Sequence, residues 1–558
     1  LHEDQGIAHD VWAGAWCAPE TGLFQIEADC QPKDADACRA GLINEIRRMQ
    51  SEPPALADLA KAVRATTAGQ IRSLATTRGQ AAILGHSWLT IGSFDYPSQY
   101  LGSISALRPE DIQRVACDYL NIETACLAEL GPDAESKAGI STATAQRADA
   151  LPKRFHLSNG LTVILQSNPR LPLVSVRAEF LAGILAESDE TAGLTMVTAE
   201  MIVKGTKHRT ALQIASELEN LGGHLRCSAD AHRLVLGADV MKEDVLQALD
   251  LLSDLAGHAT LPSEALPDVI KHQVAAIQEE REDPLTVALR RARREIFADL
   301  PFARTALGTE SSVPSLKVTH CRELIDQTLC GKNGVISVFG DIDEASILSA
   351  LEDGFGKLPS GERPIDARRV WNGSSPSGEW EDRLDKKQAV IVIGFRANGL
   401  LHTDTPVLSI IDEACSDMGS RLFNRIREEL GLAYYVGAQS FAAMGAGAFY
   451  FYVGTDPQKA QDAEKEMLSL IGDLAKNGLS DEELSRAKTT WRSSWLRSQQ
   501  GSAAMADACA WNELNGHGFD RFQRLPDIVK AITSADVRRV AAVYLDPATA
   551  FITRVMPA

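Results

Sequence analysis

One long-range register relation constrains this 558-residue chain more than any local pattern does. Gly6-Ile7-Ala8-His9-Asp10-Val11 lines up with Gly431-Leu432-Ala433-Tyr434-Tyr435-Val436, Gly22-Leu23-Phe24 with Gly447-Ala448-Phe449, and Pro32 with Pro457, always 425 positions apart. The same offset returns downstream, where Arg114-Val115-Ala116 and Tyr119-Leu120 meet Arg539-Val540-Ala541 and Tyr544-Leu545, after a three-residue slip at Gly79 and Gly501. Chance similarity does not hold one register over such a span, so the two ends of the chain are copies of one unit. If the repeat unit starts near Leu151, about 275 residues of an earlier copy are expected before Leu1. The chain then reads as the C-terminal part of a longer protein, starting partway through a domain.

The local patterns are of mixed type. Residues 161–165, 174–180, 389–395 and 448–453 show β-branched enrichment and partial alternation, which predicts strands. Segments 210–221, 242–257, 263–298, 458–476 and 480–500 carry apolar residues at three-and-four spacing, with Asp, Ser or Pro near their starts, which predicts helices. Residues 363–385, with Gly373-Ser374-Ser375-Pro376-Ser377-Gly378 inside, have linker composition, and an Ala/Ser/Thr-rich stretch ends near Ala150. The expected organisation is α+β throughout: a truncated domain over 1–133, a linker over 134–151, a domain over 152–362, a linker over 363–385 and a last domain over 386–558.

Charge and composition narrow the function. Asp and Glu outnumber Lys and Arg by 75 to 56, a net charge of −19, which disfavours phosphate backbones and anionic lipid as partners. No apolar run reaches the roughly 18–20 residues of a bilayer span. The ten cysteines contain no C-x-x-C pair and read as small buried thiols, with Cys17, Cys30 and Cys38 close enough in sequence to cross-link under oxidising conditions. Phosphate-binding, dinucleotide and nucleophile-elbow motifs are absent.

Leu157-Ser158-Asn159-Gly160-Leu161-Thr162-Val163, followed by Gly193 to Thr206, resembles the opening of a domain of the pitrilysin/insulinase family of zinc metallopeptidases. Leu307-Gly308-Thr309, Val335 to Asp341, Ser420 to Asn424 and Arg427 to Tyr434 follow in the family's order. In that family two imidazoles one helical turn apart and a later Glu bind Zn²⁺, while a Glu between the imidazoles serves as general base. The matching positions here are Met196, Ala199 and Glu200, with Ala276 at the downstream position. A thioether, two methyl groups and one carboxylate supply neither the ligand set nor the base, so the resemblance implies no zinc at this motif and zinc in a preceding N-terminal domain. His224, Cys227 and His232, with His272 as a conceivable fourth, have metal-like spacing but read as ordinary core or surface residues, because strand alternation separates neighbours onto opposite faces.

A second family element is retained. The resemblance implies that an Arg and a Tyr seven residues apart, here Arg427 and Tyr434, reach across a closed chamber toward the zinc of the first domain. A phenol suits hydrogen bonding to a tetrahedral oxyanion, and a guanidinium suits holding substrate carbonyls. In the earlier repeat copy these positions are His2 and His9. The expected function is therefore the C-terminal half of a clamshell zinc metalloendopeptidase acting on peptides, inactive by itself. Its partner is the zinc-bearing lobe, on the same chain or a separate subunit; acidic charge and family habit point to a bacterial periplasmic setting. The alternative is a non-catalytic scaffold or partner subunit, of the kind found among core subunits of a respiratory complex.

Overall fold

The computed structural model describes residues 7–8, 10–17, 22–30, 32–56, 58–60, 62–63, 66, 77–129, 151–169, 173–220, 224–298, 300–366, 369–371, 375–499 and 501–558. Two compact units divide the chain, residues 1–143 and 144–558. His2 and His9 lie outside the described residues.

The first unit opens with an antiparallel hairpin of β1 (Asp10–Cys17) and β2 (Gly22–Asp29), in which Asp10 faces Asp29 and Cys17 faces Gly22. A 3-10 turn at Pro32–Asp34 leads into α1 (Ala35–Ser51), and α2 (Thr77–Ile91), α3 (Tyr96–Ser105) and α4 (Pro109–Tyr119) follow. Gln50 on α1 caps α4 by donating to Leu120 O at 2.8 Å, which satisfies a carbonyl that the helix end leaves free. Cys38 and Ala116 are buried in this unit. All ten cysteines are free thiols.

The second unit holds two sheets that share a five-strand topology, the first with β3 added at one edge. In the first half, β3 (Lys153–His156), β4 (Thr162–Ser167), β5 (Leu173–Leu181), β6 (His224–Ala229), β7 (Arg233–Met241) and β8 (Gly334–Gly340) form a six-stranded sheet in the order β3-β4-β8-β5-β7-β6. In the second, β9 (Gly378–Leu384), β10 (Ala389–Ala397), β11 (Tyr435–Ala442), β12 (Gly447–Thr455) and β13 (Phe551–Pro557) lie in the order β9-β13-β10-β12-β11. Each sheet contains one parallel pair joining strands distant in sequence, β4 with β8 and β9 with β13, and its other pairs are antiparallel. The fold is thus α+β with mixed, largely antiparallel sheets.

Helices flank these sheets. In the first half they are α5 (Leu194–Ile202), α6 (Ala211–Asn220), α7 (Val245–His258), α8 (Leu266–Arg281), α9 (Pro284–Phe297), α10 (Val318–Thr328) and α11 (Glu344–Asp353). In the second they are α12 (Thr405–Ser416), α13 (Ala460–Asn477), α14 (Asp481–Ser498), α15 (Ser502–Leu514), α16 (Arg521–Ala531) and α17 (Ser534–Tyr544).

Two expectations are corrected by this architecture. The pattern over 263–298 is two helices: Asp283 accepts a hydrogen bond from Thr286 N at 2.9 Å and Pro284 starts α9, so the chain is capped and restarted there. The stretch 363–385 is not wholly linker, because Gly378–Leu384 is the edge strand β9. The halves on either side of it also exchange helices. Ala288, Ala292 and Ile296 of α9 pack with Val390, Val392, Phe551 and Val555 of the second sheet, and Thr553 Oγ1 donates to Ala288 O at 3.0 Å. Reciprocally, Met505, Ala506, Cys509 and Ala510 of α15 pack with Ile164, Val335 and Phe339 of the first sheet, and Ser337 Oγ donates to Ala506 O at 2.7 Å. Alanines one turn apart let each helix lie close to the sheet it crosses to, and Gly394 is required on β10 because a Cβ there would stand 2.8 Å from Ile296 Cδ1. The swap makes 144–558 one unit.

Candidate functional site

Helix α5 carries the positions at which the family places its zinc ligands. It begins after Gly193, whose φ of 91° reverses the chain. Glu187 caps it, accepting from Gly193 N at 2.9 Å and from Thr195 N at 2.7 Å. Burial pushes the Glu187 carboxyl up, opposed by these donors. Most of the helix is buried, Ala199 included, while Met196 and Glu200 are half-buried. Helix α8 packs beside it, tied by Gln273 Nε2, which donates to Gly193 O at 3.0 Å and Leu307 O at 2.8 Å.

The two helices therefore meet as a ligand-bearing pair would, but the donor set does not fit zinc. Ala276 on α8 offers a methyl group, and so does Ala199, whose carbonyl accepts from Cys227 Sγ at 2.8 Å. Glu200 is engaged by Lys204 Nζ at 3.3 Å and by His272 Nδ1 at 3.4 Å. A single carboxylate already neutralised by an ammonium, beside a thioether, cannot replace three ligands and a base.

The remaining metal-like pattern is dispersed. Cys227 is bonded to α5, and burial pushes its thiol up to about 12. His232 is buried in the region where the halves exchange helices, stacked on Trp511 with ring centroids 5.9 Å apart, and burial pushes its imidazole down to about 4. The backbone of His224 starts β6, while its side chain lies outside the described residues. The sequence reading missed a different group, His208, Asp254 and His258, whose ligand atoms lie within 4.8 Å of one another. Asp254 and His258, four apart in a helical pattern, were the available signal.

Arg427 and Tyr434 stand on either side of one tight turn. Phe423–Glu429 is a π-helical stretch, a form frequent at functional sites. Its end is closed by Leu432 N, which donates to Ile426 O at 2.8 Å across Gly431, whose φ is 58°. Buried Ile426 anchors the turn from below. Tyr434 N then donates to Gly454 O at 2.8 Å, and Thr455 Oγ1 donates to Leu432 O, so the backbone is fixed at the entry to edge strand β11. The side chains are not fixed in the same way. Tyr434 is 60% exposed, and its hydroxyl has no hydrogen-bond partner among the described residues. Arg427 is 44% exposed, stacks over the Phe423 ring at 4.8 Å, and reaches only a loose 3.9 Å contact with Glu428. A rigid backbone with two free polar tips is an arrangement able to bind something beyond the sheet.

Comparison with known proteins matches these features. Residues 162–308 match the family described as Insulinase (Peptidase family M16), and residues 317–490 match the Peptidase M16 inactive domain. An uncharacterized zinc protease of Rickettsia felis is 27% identical over 391 residues, 69% of this chain and 93% of the relative. The uncharacterized zinc protease YmxG of Bacillus subtilis is 24% identical over 396 residues, 70% of this chain and 93% of the relative. Among solved structures, a peptidase M16 inactive domain from Pseudomonas fluorescens superposes with a TM-score of 0.68 at 18% identity, covering 73% of this chain and 98% of that one. A protease from Helicobacter pylori does so at 0.66 and 16% identity, covering 73% and 100%. With the pitrilysin-type sheets, the altered zinc helix and two family matches that together span more than half of its residues, the chain belongs to the M16 (insulinase) family of peptidases.

Proposed function

We propose that this chain is the C-terminal, non-metal portion of a zinc-dependent M16 endopeptidase that encloses and cleaves peptides, with zinc in a lobe that precedes it or joins it as a separate subunit. The observation that carries this reading is the exposed Arg427–Tyr434 pair on an otherwise pinned turn. Tyr434 OH donates a hydrogen bond to the oxyanion that forms when a peptide carbonyl becomes tetrahedral, and Arg427 holds substrate carbonyls through its planar fork. The outer edge of β6, which has no further strand beside it among the described residues, can take an extended peptide as an added strand, whereas Ala438 and Ser440 on the outer edge of β11 are already bonded to Ser416 and Asp412 of α12. The proposed domain limits are 152–362 for the zinc-less domain and 386–558 for the domain that carries the pair, with 1–133 as the end of the preceding lobe.

The replaced positions Met196, Ala199, Glu200 and Ala276 favour a second reading, a non-catalytic partner subunit. A chain of Complex III2 from Candida albicans shares the fold, with a TM-score of 0.62 at 19% identity. Peptide-cleavage kinetics on the parent enzyme separate the two. Tyr434→Phe lowers kcat by about 10²–10³-fold with zinc content and fold intact if the pair acts in catalysis. A kcat near that of the unaltered enzyme assigns the pair to structure and the chain to the scaffold class.

A further inference from the structure

Three groups that the peptidase reading leaves unused converge where the turn after α5 meets the end of α7. Asp254 and His258 are one helical turn apart on α7 and share a face. His208 is brought to them by the turn Gly205–Arg209, which is laced to α7: Lys207 N donates to His258 O at 3.0 Å and Thr260 N to Gly205 O at 2.9 Å. Asp254 Oδ1 consequently lies 2.6 Å from His208 Nδ1 and 3.1 Å from His258 Nδ1, with the two rings edge to face at 4.8 Å.

The carboxylate at the centre is built in. Its side chain is 6% exposed, and its second oxygen accepts from Thr206 Oγ1 at 2.7 Å and Arg209 Nη1 at 2.8 Å. Burial raises the Asp254 carboxyl, but hydrogen bonds from Thr206, His208 and Arg209 outweigh it and hold the group at about 2. Arg209 is answered by Glu217 at 3.0 Å and Asp250 at 2.7 Å as well, so its charge is spread over three carboxylates and Oδ1 is left to the imidazoles.

We infer that His208, Asp254 and His258 form a binding site for a divalent transition cation of the zinc class, with solvent in the remaining positions. The separations of 2.6 and 3.1 Å from Asp254 Oδ1 to the two Nδ1 atoms are hydrogen-bond lengths. They are shorter than the roughly 3.4 Å edge of a tetrahedron with bonds of about 2.0–2.2 Å, so a cation enters by moving each imidazole away from the carboxylate by under about 1 Å and replacing those hydrogen bonds. A nitrogen-rich donor set selects zinc, cobalt or nickel over magnesium and calcium. Beside it opens a cleft of about 510 Å³ lined by Glu217, Asp250, Asp254 and Asp353 against Arg209 and Lys357, a balance that attracts a dication. The ion staples the turn that follows the altered zinc helix to α7. The site is independent of the peptidase reading and of Glu200 and His272.

The test uses the 558-residue chain after chelator treatment, with Co²⁺ followed by visible absorption and Zn²⁺ by calorimetry. One equivalent is expected to bind, with an imidazole-type cobalt spectrum and a raised melting temperature. His208→Asn and His258→Asn, at half-exposed side chains whose loss leaves the core intact, are each expected to weaken Zn²⁺ by at least about tenfold. Glu200→Gln and His272→Asn are expected to leave it unchanged. Absence of binding overturns the site and leaves a hydrogen-bonded triad. Binding that survives both His208→Asn and His258→Asn, or that is lost in Glu200→Gln or His272→Asn, places the metal elsewhere and also overturns it.

Discussion

The hairpins at 10–29 and 435–455 have the same geometry and opposite surroundings. Asp10 faces Asp29 as Tyr435 faces Gly454, Val11 faces Ala28 as Val436 faces Val453, and both hairpins run through a 3-10 turn that starts at Pro32 or Pro457 into a long helix. Yet Phe449 is fully buried while Phe24, its counterpart 425 positions earlier, is 46% exposed, and Trp12, Trp16 and Leu23 are exposed with it. The difference is β10. It pairs with β12 along Ala389–Ala397 and carries the second sheet onward to β13, whereas β2 pairs with β1 alone among the described residues. Cross-strand pairing and turn chemistry are local and survive in both copies; burial needs a third strand and the helices that cover it.

The largest effect that would sharpen this contrast is a matched truncation. Phe449→Ala is expected to destabilise the second unit by about 3–5 kcal/mol and Phe24→Ala by well under that, because only the first leaves a cavity in a closed core. Chemical denaturation of the two variants measures it, and equal losses would show that β2 is covered in solution. Next is chemistry at the start of the hairpin. The loss of about 10²–10³ in kcat expected for Tyr434→Phe should have no parallel in His9→Phe, which replaces the phenol's counterpart by a residue without a hydroxyl.

A third contrast concerns acid. In the second unit Asp404 accepts from Arg539 Nη2 at 2.7 Å and from Tyr544 OH at 3.0 Å, and hydrogen bonding to Arg539 holds the buried Asp404 carboxyl below the usual range, against burial. Among the described residues their counterparts Arg114 and Tyr119 have no such buried carboxylate: Arg114 pairs with exposed Asp118 at 3.2 Å, and Tyr119 is 75% exposed. The folded second unit binds the Asp404 proton less tightly than the unfolded chain does. The stabilisation is therefore complete above the ordinary Asp value of about 3.9 and fades as pH falls below it. Asp404→Asn is expected to cost about 1.5–3 kcal/mol at neutral pH and to flatten this acid dependence. Melting of the variant and the unaltered chain between neutral and acid pH checks the sign.

The smallest effect is at a helix start. Thr533 Oγ1 accepts from Asp536 N at 3.2 Å in a capping box at α17, and Thr533→Ala is expected to cost about 1 kcal/mol. At the equivalent α4 the cap is Arg108, which donates to Asp111 Oδ2 from its N–H at 3.0 Å and from Nε at 3.3 Å but has no side-chain oxygen to accept from the helix. Arg108→Thr should thus stabilise the first unit by up to about 1 kcal/mol. A neutral result would mean that α4 is set by packing on α1 alone.

The sequence by itself determined what depends on neighbours along the chain. The duplication and the break between the helices predicted over 458–476 and 480–500 follow from offsets and period, because each is decided by copying or within a few residues, whereas periodicity runs through the restart at Pro284 as one helix over 263–298. That Met196, Ala199 and Ala276 supply a thioether and two methyl groups in place of imidazoles and a carboxylate was legible whatever the fold. The tertiary structure alone decided how strands distant in sequence pair, how α9 and α15 cross to the other half's sheet, and which aromatic residues are covered. Periodicity says that a helix has an apolar face but not which sheet that face meets. Likewise, His208 joins Asp254 and His258 only because backbone bonds fold the Gly205–Arg209 turn against α7, a contact across 46 residues that spacing along the chain does not encode.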